Sequence, residues 1–179
     1  MRRKDREVTD FQEILEIIKK CDVCRLALHD KDFPYIVPLN FGLDVQEEQV
    51  FLYFHAANKG TKLDLIAKDN RATFEMDCDH NLILYEEHMN CTMDYASVIG
   101  HGTIEILPEE EKFQALKILM RQYHAEDFPF STDMMKVTTV LKMTVIDMVG
   151  KRRNNVHEKL RALPLAVLPV IALLSLFPC

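Results

Sequence analysis

Apolar residues recur as Phe11, Ile14, Leu15 and Ile18 near the start of the chain, with polar residues between them. That three-and-four spacing is one face of a helix, so an amphipathic helix is predicted over residues 10–20. Thr9, with Gln12 three positions on, supplies a capping-box start. The pattern then changes to short apolar strands at 24–28, 35–43, 49–55, 72–77, 81–86, 95–107 and 137–149. Turn residues separate several of them, notably Asp30-Lys31-Asp32 before Phe33-Pro34 and the polar run from Asp44 to Glu48. Two further helices interrupt the strands, one over 60–68 and one from Pro108 to His124. The second opens on Glu109, Glu110 and Glu111 and carries Phe113, Leu116, Leu119, Met120 and Tyr123 along one face. Ser131-Thr132-Asp133 is suited to cap one more short turn before the last strand.

Seven short strands, mostly able to pair as hairpins and with few helices between them, predict a mainly β fold built as a small antiparallel barrel. A doubly wound dinucleotide-binding sheet is excluded at its motif. The chain has five glycines and no Gly-x-Gly-x-x-Gly.

At 179 residues, 48% of them hydrophobic, the chain can bury one good core. The expected organisation is one domain over residues 1–153 and an apolar, proline-containing tail over 154–179. The tail's apolar run, Leu163 to Phe177, is shorter than the roughly 20 residues a spanning helix needs. Pro164 and Pro169 also break it, so a membrane span is not expected. A net charge of −6 argues against a general nucleic-acid binder. No apolar stretch follows the basic start Met1-Arg2-Arg3-Lys4, so no secretory signal is read and a cytoplasmic location is expected.

The odd cysteine count, Cys21, Cys24, Cys78, Cys91 and Cys179, reads as reduced thiols. Cys21 and Cys24 form a lone Cys-x-x-Cys in which Cys24 opens a strand, so structural thiols are the expected reading over zinc or redox chemistry. The spacing of Cys78, His80, His88 and Cys91 matches no ligand pattern, and no metal is expected.

The most informative stretch runs from Tyr53 through Phe54, His55, Ala56, Ala57, Asn58, Lys59, Gly60, Thr61 and Lys62 to Ile66. A strand runs out into a small-residue turn and enters a helix, where exposed N–H groups favour an anion. Lys59 and Lys62 add full charges to that partial positive end. The turn reads as a phosphate seat.

This stretch, Phe33 to Phe41, the run Tyr95 to Gly102 and the closing Gly150-Lys151-Arg152-Arg153 together resemble the FMN-binding split-barrel proteins. The likeness is to the nitroimidazole-resistance branch of the pyridoxamine 5'-phosphate oxidase superfamily and covers about residues 5–153. It implies a homodimeric, Greek-key-like split β-barrel with a few peripheral helices and FMN at the subunit interface. By the same resemblance Ile36, Val37, Pro38 and Leu39 line the isoalloxazine ring, and Phe54, His55, Ala56 and Ala57 line the ribityl chain. Lys59, Thr61 and Lys62 would hold the phosphate, and Ser97 would approach the flavin from a later strand. His55 matches the branch's flavin-side histidine and is the candidate catalytic group.

Two departures shape the expected activity. The chain lacks the tryptophan that vitamin B6 oxidases carry in their substrate site, which turns the expectation away from B6 oxidation. Thr61 stands where an arginine is frequent, which exchanges a charge for a hydroxyl. The resemblance therefore implies an FMN-dependent oxidoreductase acting on small nitroaromatic or similar acceptors. The alternative is a flavin- or heme-binding module without turnover.

Overall fold

The computed structural model describes residues 2–153; Met1 and residues 154–179, with the whole apolar tail, lie outside the described residues. A short 3-10 turn leads into β1 (Glu7–Val8), α1 (Phe11–Lys20), β2 (Cys24–Leu28), β3 (Tyr35–Leu39), β4 (Gly42–Gln46) and β5 (Gln49–Ala57). There follow α2 (Thr61–Lys68), β6 (Arg71–Tyr85), β7 (Asn90–Ile106), α3 (Glu109–Gln122), α4 (Thr132–Lys136) and β8 (Thr138–Arg153).

All the ladders are antiparallel, and the path across the sheet is β3-β2-β6-β7-β8-β5-β4, with β1 added against β8. The two ends of that path are β3 and β4, which only Asn40 and Phe41 separate along the chain. A sheet whose opposite edges are tied by so short a link must coil until they converge. No ladder joins β3 to β4 among the described residues, so the barrel is split along that seam. Pro38, which has no N–H to give a ladder, sits in edge strand β3 as an edge tolerates.

The coil encloses one core. Leu26, Leu52, Phe54, Phe74, Met76, Leu141 and Met143 are fully buried inside it, and Ile14, Leu15, Ile17 and Ile18 of α1 pack onto the same cluster. A second, smaller cluster lies outside the barrel wall. There α3 lays Ala115 and Leu116 against Tyr53 of β5 and Val140 of β8. The far end of α3 also fastens the seam. The Tyr123 hydroxyl donates to the Asp22 carbonyl at 2.7 Å and accepts from the Phe41 N–H at 3.0 Å and the Asn40 amide at 3.1 Å.

Three expectations shift. The N-cap of α1 is Asp10, whose carboxylate accepts from the Glu13 N–H at 2.9 Å. The capping arrangement is thus real but lies one residue later than Thr9 and Gln12, and uses the stronger acceptor. The strand expected over 35–43 is two strands, because the chain turns the seam's corner at Asn40-Phe41 and β4 then runs on to Gln46. The strands expected at 72–77 and 81–86 are one strand, β6, whose register shifts between Cys78 and Asn81, with Asp79 at φ 57°. An irregularity read as a turn is a bulge.

Gly100 and Gly102 flank another bulge, where β7 shifts register against β8. A Cβ on Gly100 would sit 2.5 Å from both the Phe74 ring and the Asp147 carbonyl, so only glycine permits this approach.

Candidate functional site

Strand β5 alternates at its C-terminal end. Phe54 and Ala56 are buried on the core side, while His55 and Ala57 face out. Of the residues 54–57, His55 and Ala57 therefore offer side chains to a ligand on the outer surface, and Phe54 and Ala56 offer only backbone. The strand then leaves the sheet through Asn58, Lys59 and Gly60. Gly60 sits at φ 144°, a conformation that side chains resist, and serves as the N-cap of α2. Its carbonyl accepts from the Leu63 N–H at 2.9 Å and the Asp64 N–H at 3.3 Å. The N–H groups of Thr61 and Lys62 thus precede the first intrahelical bond, and no side chain caps them. Lys59 and Thr61 are exposed and Lys62 is half-buried.

His55 and Lys62 are close enough to feel each other. Burial first, and the Lys62 charge second, hold the His55 imidazole below its ordinary pKa, so its neutral form is favoured. A neutral imidazole has one N–H donor and one acceptor nitrogen. Five of the expected residues, His55, Ala57, Lys59, Thr61 and Lys62, therefore meet at the junction of β5 and α2. Together they place an uncapped helix N-terminus, two lysines and a hydroxyl beside a histidine whose neutral form is favoured.

The remaining expected residues stand elsewhere on the outer wall. Ile36, 61% exposed, and Pro38 face outward on β3, while Val37 and Leu39 turn toward the core. Ser97 is half-buried on β7, opposite Asp77 of β6 and Lys151 of β8. Ala57, by contrast, pairs with Thr138 at the start of β8. Ser97 thus lies at the far end of β8 from the junction, and one chain does not bring it there.

Behind His55 lies a feature that the sequence reading did not find, a cavity of about 370 Å3. Residues of α3 form one wall, and the segment from Phe128 to Thr138, including α4, forms the other. The signal was present as Phe128-Pro129-Phe130 but carried no period. Asn58 connects this wall to the turn. Its amide donates to the Lys136 carbonyl at 2.9 Å, and its carbonyl accepts from the Thr139 hydroxyl at 2.9 Å.

The other candidates are structural in their surroundings. Cys21 and Cys24 are buried, and burial pushes both thiols up from their ordinary pKa. His80 binds Asp77 at 2.8 Å, and His101 binds Asp147 at 2.7 Å on the bulge beside Gly100. Among the described residues, no three His, Cys, Asp or Glu side chains form a group suited to a metal ion. No helix of those residues is long and apolar enough to cross a membrane.

An antiparallel barrel open along one seam, with a strand-to-helix turn between β5 and α2, is the architecture of the split-barrel proteins. The chain belongs to the pyridoxamine 5'-phosphate oxidase family, whose model matches residues 10–152. It is 30% identical to a putative 5-nitroimidazole antibiotic resistance protein from Bacteroides thetaiotaomicron, with a TM-score of 0.71 over 82% of this chain and 86% of that one. Two more distant structures share the fold at TM-score 0.70 and 16% identity. One is the FAD and heme binding protein from Mycobacterium smegmatis, covering 83% of this chain and 74% of that one. The other is a flavocytochrome from Azotobacter vinelandii, covering 86% and 72%. No curated protein matches the chain.

Proposed function

We propose that the chain is an FMN-dependent oxidoreductase that reduces small nitroaromatic or similar acceptors, in the manner of the nitroimidazole-resistance branch of its family. The observation that carries this reading is the junction of β5 and α2. There Gly60 leaves the helix N-terminus uncapped beside Lys59, Thr61 and Lys62, with His55 facing out one strand turn away. The donor set fits a phosphate monoester: two N–H groups at a positive helix end, a hydroxyl and two ammonium groups. It also supports FMN over a ligand without a phosphate terminus.

The flavin, when bound, supplies the electron-transfer chemistry. The protein's part is to bind and orient. Lys59, Thr61 and Lys62 anchor the phosphate, Ala57 keeps the strand surface low beside it, and His55 holds a proton near the acceptor. With its pKa below the ordinary imidazole value, His55 is mostly neutral at neutral pH, and its ring presents one N–H hydrogen-bond donor and one acceptor nitrogen to the acceptor.

The proposed assembly is a homodimer. The separation of Ser97 from the junction supports it, since a site holding both needs a second copy, and so do Ile36, Ile99 and Ile146 exposed on the outer wall. A second reading, a flavin- or heme-binding module without turnover, draws on the fold shared with the FAD and heme binding protein.

Purified protein should show a flavin absorption spectrum or take up added FMN, and Lys62→Ala should weaken FMN binding tenfold or more. That loss corresponds to about 1.5–3 kcal/mol for a hydrogen bond to a charged group. Reduced, FMN-loaded protein should be reoxidised by nitro compounds faster than free FMN is. Colourless protein that ignores FMN refutes the flavin reading, and reoxidation no faster than free FMN favours the module.

A further inference from the structure

The cavity behind His55 has a chemistry of its own. At about 370 Å3 it falls at the small end of the ~300–1,000 Å3 range of small-molecule pockets. Leu119 and Met120 of α3 line one side, and Phe128, Phe130 and Met134 line the other. Among the described residues, His55 is the only ionisable side chain on its surface. Leucine, methionine and phenylalanine side chains make up most of its lining, which favours an apolar ligand over a charged one.

The walls also have a shape. Phe130 stands edge-on to Phe128, with ring centroids 5.8 Å apart at 74°, and edge-on to Phe113 at 6.5 Å and 84°. That arrangement fixes the plane of the aromatic wall. The methionines supply flexible thioethers that contact ring edges well. Polar contact is confined to one end. The Thr138 hydroxyl is already committed to the Met134 carbonyl at 2.7 Å, which leaves His55 and Ser131 to meet a polar substituent.

We infer that this cavity binds a small uncharged aromatic ring carrying one hydrogen-bonding substituent, seated between the Phe128–Phe130 wall and α3 with its polar end toward His55. The inference rests on the proposed function only in naming that ring as the electron acceptor. Asn58 gives the pocket a link to the proposed anion seat. The Asn58 side chain, next after Ala57, holds Lys136 at the end of α4 and Thr139 at the start of β8, so the α4 wall and the turn between β5 and α2 are fastened together.

The chain has no tryptophan, so Phe128→Trp places a single fluorophore in the cavity wall. Phe128 is 58% exposed, which leaves room for the larger ring. Nitrobenzene should quench this tryptophan saturably in the full chain, with and without bound FMN, and 4-nitrobenzoate should bind at least about tenfold more weakly, or about 1.4 kcal/mol. Adding Ser131→Phe, whose hydroxyl caps nothing, should weaken nitrobenzene by a similar factor while the melting temperature holds. Methyl shifts of labelled Met120 and Met134 in the unsubstituted chain report the same binding should Phe128→Trp fail to fold.

Linear quenching at the rate of free tryptophan, with unmoved methionine shifts, overturns the inference. So does saturable binding that FMN abolishes, because the cavity would then be the flavin's own. If the protein holds no FMN and nitrobenzene still binds saturably, the proposed function fails and the pocket stands.

Discussion

His55 ties the chemistry of the site to the stability of the chain. Its imidazole titrates below the unfolded value of 6.5, so the unfolded chain binds the proton more tightly. The stability this group contributes is therefore full above 6.5 and is lost as pH falls from there through its lower folded value. Thermal scans on either side of 6.5 should show His55→Asn losing less stability on acidification than the unsubstituted chain. Gly100→Ala should cost about 1–3 kcal/mol in urea denaturation, because the new methyl meets the Asp147 carbonyl and the Phe74 ring. Cys91, exposed, should react with a thiol reagent in the native protein, while Cys21 and Cys24 react only on unfolding. At this scale much was legible in the sequence. Charge and small size flagged Lys59, Gly60 and Lys62. The inward turn of Phe54 and Ala56 was implicit in strand alternation but hidden by reading residues 54–57 as one ligand-facing segment.

Among the elements, the end of α3 has the clearest burden. The Tyr123 hydroxyl is shared among Asp22, Asn40 and Phe41, so it joins the chain after α1 to the corner between β3 and β4. Tyr123→Phe leaves a carbonyl and a backbone N–H without that partner, a loss of about 1–3 kcal/mol. Hydrogen exchange should show the loss first at Phe41 and the strand β4. Periodicity located the three longer helices and most strands, since each buries one face. It missed the corner at Asn40-Phe41, although Pro38 and Gly42 flank it, because the apolar pattern runs on through the fully buried Phe41 into β4. It also divided β6 at Asp79-His80, where polar residues mark a bulge in a strand that continues beyond the barrel wall.

For the whole molecule, the order of short strands pointed to an antiparallel barrel, and resemblance supplied its split form. The strand order itself was not legible, because the decisive ladders join residues far apart in the chain and no local pattern encodes them. The cavity escaped for a similar reason, being made where a nonperiodic segment crosses a helix. Assembly is open to direct measurement. Light scattering of the proposed homodimer should return twice the mass of one 20.8 kDa chain, and FMN should raise its melting temperature by mass action.

Strand β8 pairs with β7, with β5 and with β1 at once, and among the described residues it is the last element of the barrel. Until residues 138–153 have emerged during synthesis, β5 lacks the neighbour that connects it to the rest of the sheet, and β4 and β5 remain a hairpin alone. Closure therefore waits on translation, and a nascent chain stalled before Thr138 would present two sticky strand edges to whatever chaperone first meets it.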